Sequence, residues 1–574
     1  MDYRISYTQP HRHFIDIEAT ADAGGKDTLD MQLPAWRPGR YELADFAKNI
    51  QKWEVFDEKG SPLNFQKITK DRWQIECKGA EKVVVRYNYF AKVLDGGSTY
   101  LNDTQLYVNP VNCLIYQVDE QDLPCKLSIN IPKNYEVATG LTPEGDHWKA
   151  ASFHQLADSP FIASANLQHG EFVVEGVLFH LWFQGEFKPD WEKIIHQFSQ
   201  FTKVQMSTMG EFPVKEYHFL FQITTHASYH GVEHGNSTVI LLGPSYDILN
   251  DKKWRDFLGV SSHELFHTWN VKALRPVEMQ PYDYSRENYT KLGFVAEGVT
   301  TYYGDLFLYR SKGFTDLEYF KELHQLFQRH FHNYGRFNLS VADSSFDTWL
   351  DGYEKGIPHR KTSIYTKGAL VALMLDLTIR KETNSKYSLD DVMRLMYEQY
   401  GKTGKGYSEQ DYLNTANSIA GVDLTEFFNK YYYDTSDLLP ELKDLLSIVG
   451  LKIKETPSGL YYENRFGFKT RYINGRSAEI IEVAPDSIAD KAEMKVGDEL
   501  ISINGIRILG NLNEWCNYFK EETITLTINA QNTTQQVALT PNEELYYLDM
   551  WPEKLKDPSP DQKKHFAAWA SREF

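Results

Sequence analysis

Residues 260–271 read VSSHELFHTWNV, with His263 and His267 four positions apart and Glu264 directly after the first. On an α-helix, positions i and i+4 share a face, so both imidazoles can reach one cation. Glu264 is placed to accept a proton from a water bound to that cation. Leu265, Phe266 and Trp269 give such a helix a side to bury. Further along, Glu297 sits in GFVAEGVTTYYGDLFLYR, between Ala296 and Gly298 and after Phe294 and Val295. An acid in so apolar a helical stretch is costly to bury without a counter-charge, and catalytic zinc takes three protein ligands while leaving a position open. The expectation is one Zn2+ per chain on His263, His267 and Glu297, with Glu264 as the catalytic base. Two hydrogen-bonded histidines on an ordinary core helix are the bland alternative.

The elements that must hold these residues follow from periodicity and punctuation. A chain of 574 residues is too long for one hydrophobic core and predicts several domains. Residues 1–165 carry short runs rich in β-branched and aromatic residues, such as KVVVRYNYFAKV and CKLSINIP, separated by Gly, Pro and Asn/Asp clusters. They predict an N-terminal β-sandwich-like domain, with LPAWRPGRYELADFAKNI as a fixed loop around Trp36. Residues 166–440 open with a helix in WEKIIHQFSQFTKVQM. Strands in EYHFLFQITT and STVILLGP then flank a loop, HASYHGVEHGN. Helices dominate after that. DLEYFKELHQLFQRHFHNY and IYTKGALVALMLDLTIRKE place apolar residues three and four apart. Capping boxes start two more helices at Ser388 and Ser408.

Short strands return in residues 441–545. The stretch VAPDSIADKAEMKVGDELISINGIRI closely resembles a PDZ domain, and residues 546–574 read as a helical tail. In that module Arg465-Phe-Gly-Phe468 is the expected peptide-carboxylate loop, because a glycine between aromatics would leave backbone N–H groups free. The fold class expected is therefore multidomain α+β, with a mainly helical catalytic domain in the middle.

HELFHTW followed by AEG resembles the gluzincin zinc peptidases, whose third ligand is a glutamate on a following helix. The aminopeptidase N family has a similar pair with a shorter gap. The longer gap, WRPGRYELADFAKN, GVEHGNS and the PDZ-like module together resemble the glycyl-aminopeptidase family over nearly the whole chain. That resemblance implies a thermolysin-like catalytic domain. It also implies that Glu233, with Gly231 and His234 beside it, grips the free α-amino group of a peptide. Val232 and His234 stand where the aminopeptidase N pattern has methionine and asparagine, and a polar loop between strands is the alternative. Tyr365, in Ile364-Tyr365-Thr-Lys-Gly, matches the catalytic tyrosine that donates to the oxyanion. Tyr302, Tyr303 and Tyr229 compete for that role, and core packing is the alternative.

The expected activity is removal of the N-terminal residue from peptides, with a preference for glycine or alanine implied by the family. A zinc endopeptidase and an inactive PDZ-bearing adaptor are the competing functions. Partners expected are peptides with a free N-terminus and a peptide C-terminus at the PDZ-like module. A net charge of −18 argues against nucleic acid. No run of apolar residues is long enough for a membrane span. Four cysteines without metal-ligand spacing and the lack of a signal-like N-terminus lead to a cytoplasmic expectation.

Overall fold

The computed structural model describes residues 1–353 and 356–574. The chain divides into two compact units. One comprises Met1–Thr315, Ser345–Glu354 and Lys386–Leu424, and the other Asp316–Ser344, Lys355–Ser385 and Thr425–Phe574.

The first unit begins with β-structure. In FIDIEATAD, Ile15, Ile17, Ala19 and Ala21 are buried while Asp16 and Asp22 are exposed. That period of two lays one face of the Phe14–Asp22 strand on a core and the other in water. Lys82–Phe90 pairs with it antiparallel within a seven-stranded sheet. Two four-stranded sheets accompany that sheet, and all three contribute to the large core around Trp36, Trp73 and Tyr87.

Next comes a five-stranded sheet. Its order is Gln168–Val174, Val177–Gln184, Glu216–Ile223, Ser237–Gly243 and, at the edge, Ser228–Glu233. The three middle strands run parallel, and the edge strand is antiparallel to its neighbour. HASYHGVEHGN was expected to be a loop, and this is corrected: its middle, Ser228–Glu233, is that edge strand. A histidine- and glycine-rich segment hides its strand character because only one side of an edge strand needs a partner. One face of the sheet presents Phe219 and Phe221, which meet Phe198 of the Trp191–Met209 helix and Phe257 of the Asp251–Phe266 helix. Apolar residues on these two helices therefore seat the HELFH segment against the sheet.

In the second unit, a five-strand path runs Phe468–Ile473, Ser477–Val483, Glu499–Ile503, Ile524–Ala530 and Thr533–Leu539, with Ile506–Arg507 beside it. Its own core includes Phe466, Phe468, Leu500 and Leu526. The expected carboxylate loop is corrected here. Gly467 ends the Tyr461–Phe466 helix, and its N–H donates to the carbonyls of Tyr462 and Glu463, both at 3.2 Å. The glycine serves a left-handed helix terminus at φ 79° rather than an open cradle. The Pro560–Ala570 helix, with its capping box at Ser559, buries Phe566 and Trp569. The boxes at Ser388 and Ser408 are also present. The overall class is multidomain α+β, with a β-rich N-terminal part, a helical middle and a C-terminal β-module that has its own core.

Phe198 joins its helix to the five-stranded sheet through several rings, so Phe198→Ala should cost about 3–5 kcal/mol. A lowered denaturation midpoint for the first unit's transition is the measurement; an unchanged midpoint would mean the contact is dispensable.

Candidate active site

The Asp251–Phe266 helix ends at His267, and a later helical stretch contains a π-helical turn, Phe294–Val299, that includes Glu297. A π-turn is an irregularity typical of functional positions. The two segments are tied by Asn270, whose Nδ2 donates to the Val295 carbonyl at 2.8 Å and to Thr300 Oγ1 at 3.0 Å. Close packing helps as well. A Cβ on Gly304 would lie 3.2 Å from His263 Cα, so glycine lets the Thr300–Arg310 helix approach the metal helix.

The result is convergence. His263 Nε2 and His267 Nε2 are 3.0 Å apart. Glu297 Oε2 lies 3.4 Å from the His267 nitrogen and 3.9 Å from that of His263. The Asn270 carbonyl lies 2.8 Å from His267 Nδ1, so a neutral His267 that donates there presents its Nε2 lone pair to a cation. Two nitrogens and a carboxylate gathered around one point form the donor set of a catalytic divalent-metal site. The residues fit such an ion.

Two more carboxylates enter the same pocket. Glu233, Glu264 and His267 bring one ligand atom each within 4.8 Å of one another. Glu233, Glu264 and Glu297 are 4%, 6% and 2% exposed. Glu233 Oε1 and Glu264 Oε2 are buried without a hydrogen-bond partner. Burial, reinforced by the charges of Glu233 and Glu297, pushes Glu264 up to about 8. Burial likewise raises Glu297 despite the neighbouring His267. For His267, burial opposes the charged form, yet Glu297 pushes it up to about 10, while burial and His267 hold His263 well below the ordinary imidazole range. Such a cluster calls for cations.

Of the residues expected from sequence, His263, Glu264, His267, Glu297 and Glu233 meet here. Gly231 stands beside Glu264, where a Cβ would fall 2.2 Å from Glu264 Oε1. His234 is turned to Asp158, with 3.0 Å between Nδ1 and the carboxylate. Tyr365 is the N-cap of the Thr366–Glu382 helix in the second unit. Among its rivals, the Tyr303 hydroxyl donates to Asp390 at 2.8 Å, Tyr302 is buried, and Tyr229 is largely exposed.

Sequence reasoning missed the residues supplied from the N-terminal 165. Tyr41 donates from its hydroxyl to Glu297 Oε1 at 3.5 Å. Gly39, at φ 79°, comes so close to Glu233 that a Cβ would sit 2.5 Å from Oε2. The loop is held by Trp36, whose indole N–H donates to the Asp283 carbonyl at 2.8 Å. The proline- and glycine-rich composition of the loop signalled rigidity but not this destination. Asp158 is the other omission. It accepts from Lys272 Nζ at 2.8 Å and from the Gly235 N–H at 2.9 Å, besides facing His234. A lone aspartate in HQLADSP carries no signal of that role.

The donor set suits a divalent-metal centre. Residues 2–165 match the Peptidase M61 N-terminal domain, 256–371 match M61 glycyl aminopeptidase, and 479–529 match a PDZ domain. The crystal structure of an aminopeptidase N family protein from Idiomarina loihiensis superposes with a TM-score of 0.90 at 26% identity, covering 99% of both chains. An M1 zinc metallopeptidase from Deinococcus radiodurans matches at 12% identity over 75% of this chain and 92% of its own, with a TM-score of 0.43, too low to bear on the site. No curated protein matches. The chain carries the two M61 glycyl aminopeptidase domains and a PDZ domain, and is a metallo-aminopeptidase, a hydrolase of peptide bonds.

Burial alone would raise the Asp158 pKa, but Lys272 and His234 outweigh it and hold the carboxyl well below its usual range. A depressed carboxylate stabilises the fold above its unfolded pKa of about 3.9 and loses that contribution as pH falls further. Asp158→Asn should therefore lower stability at neutral pH by about 2–3 kcal/mol, the scale of hydrogen bonds to a charged group. The gap from wild type should narrow below about pH 4 in denaturation curves; a gap constant with pH would contradict the assignment.

Proposed function

We propose that this chain is a zinc-dependent aminopeptidase that hydrolyses the N-terminal bond of peptides with a free amino group. The observation that supports it most is the pocket of three buried carboxylates, which asks for both a metal ion and a substrate ammonium. His263, His267 and Glu297 would hold one Zn2+, which when bound supplies a Lewis acid for the scissile carbonyl and for a water. Glu264 accepts the proton of the attacking water and passes it to the leaving amine. Glu233 accepts hydrogen bonds from the α-ammonium, a charge-assisted pairing that offsets its desolvation. Gly231 and His234 form the rest of that amine site. Tyr365 is assigned the oxyanion donor by its Tyr-x-Lys-Gly pattern.

A preference for small residues such as glycine or alanine follows the family description. The PDZ domain takes a peptide C-terminus, added as a strand beside the sheet-edge strand Phe468–Ile473. Four buried cysteines, none in a disulfide, suit a reducing compartment, and the cytoplasm is the proposed setting. No helix among the described residues is long and apolar enough to cross a membrane.

Glu264→Gln should retain metal and lose turnover by about 10²–10⁴-fold, the range of a general base, whereas Glu297→Ala should lose metal. Metal analysis beside rates on aminoacyl arylamides separates the two. Normal turnover by Glu264→Gln would remove it from the mechanism.

Wild type should cleave alanyl peptides and spare their N-acetylated forms. Glu233→Gln should raise KM for the free peptides. Equal cleavage of acetylated and free peptides would make the enzyme an endopeptidase and leave Glu233 without its role.

A further inference from the structure

A second set of metal-ligating side chains lies on the catalytic sheet, among residues that the proposed mechanism does not use. Gln168–Val174 and Val177–Gln184 form an antiparallel pair in which Glu171 faces His180 and His169 faces Trp182. Val177–Gln184 and Glu216–Ile223 run parallel, with His180 beside His218. Alternation along each strand puts His169, Glu171, His180 and His218 on one face. Phe172, Phe179 and Tyr217 point the other way and pack together with the aromatic rings beneath the sheet. Diagonal neighbours on a sheet face are within reach of long side chains, and here they meet. His169 Nε2 and His180 Nδ1 are 2.9 Å apart, almost the separation of the catalytic pair at 3.0 Å. Glu171 Oε2 lies 4.0 Å from His180 Nδ1.

Two ligand triads share His180: His169, Glu171 and His180, or His180, Glu216 and His218. The hydrogen bonds choose between them. An indole can only donate, so Trp182 Nε1–H, at 3.3 Å from His218 Nδ1, makes that nitrogen the acceptor. The proton of neutral His218 is then on Nε2, directed at Glu216 Oε1 at 3.4 Å, and His218 has no lone pair left for a cation. Glu216 Oε1 also takes the Nε2–H of His180 at 2.8 Å. That bond fixes His180 with its lone pair on Nδ1, aimed at His169. A histidine held by a carboxylate through one nitrogen and free at the other is the usual arrangement behind a metal ligand. The His169 ring is also held, stacked on Trp182 with centroids 3.9 Å apart.

We propose that His169 Nε2, His180 Nδ1 and the Glu171 carboxylate form a second site for a divalent transition-metal ion, with Glu216 orienting His180 from behind. Two imidazoles and one carboxylate suit zinc and its neighbours in the first transition row rather than magnesium or calcium, which prefer oxygen donors. The remaining coordination positions face solvent, since His169 and Glu171 are exposed. When loaded, the ion links the Gln168–Val174 and Val177–Gln184 strands at the rim of the sheet that carries Glu233 at its far edge.

The test is equilibrium dialysis of the chelator-stripped full chain against zinc, with metal counted by mass spectrometry. Wild type should hold one equivalent more than His169→Ala and one more than Glu171→Ala. His263→Ala should keep the equivalent that His169→Ala loses, which separates this site from the catalytic one. Glu216→Gln should weaken the second site about 10–100-fold, the effect of removing a carboxylate behind a ligating histidine. Equal zinc content in wild type, His169→Ala and Glu171→Ala would overturn the proposal, whatever the catalytic residues bind.

Discussion

Negative charge without water is the constraint on which this structure turns. Glu233, Glu264 and Glu297 are almost fully excluded from solvent and lie around two imidazoles. No such cluster is stable on its own account, because a buried carboxylate loses hydration that only a cation or several hydrogen bonds can replace. The cost is tolerated because the surrounding elements are rigid. Phenylalanine rings hold the Asp251–Phe266 helix to the sheet, Asn270 joins it to the Glu297 turn, and glycine at 304 allows the third helix to come close. A divalent ion and a peptide ammonium would together balance the three charges. The electrostatics thus ask for the same two occupants that an aminopeptidase requires.

Building the pocket needs the N-terminal β-region as well as the helices. Gly39 and Tyr41 border Glu233 and Glu297, and Asp158 links the turn after Glu233 to Lys272, which follows the metal helix. These contacts explain why residues 1–165 fall in the same compact unit as the HELFH segment. Gly39 and Tyr41 thus form a wall beside Glu233 and Glu297.

The candidate ligands and their neighbours were legible in the sequence to different degrees for physical reasons. His263 and His267 are joined by helical periodicity, so their spacing alone puts them on one face. Glu297 announced itself as an acid in apolar surroundings. The edge strand Ser228–Glu233 did not, since its exposed residues carry no alternation. Gly467 misled because a glycine between aromatics fits a helix terminus as well as a binding loop. Asp158, Lys272 and Tyr41 gave no local sign, because each acts on residues at least 76 positions away.

Local pattern by itself determined the domain classes, the HExxH pair, its acid partner and the PDZ module, since each depends on residues within one or two neighbouring elements. The tertiary structure decided what no local pattern carries: which loop closes over Glu233, which aspartate clamps the turn beside it, and which histidines on adjacent strands share a face. Those outcomes depend on sheet register and on packing between distant segments, and long-range geometry of that kind arises only when the whole unit folds around its core.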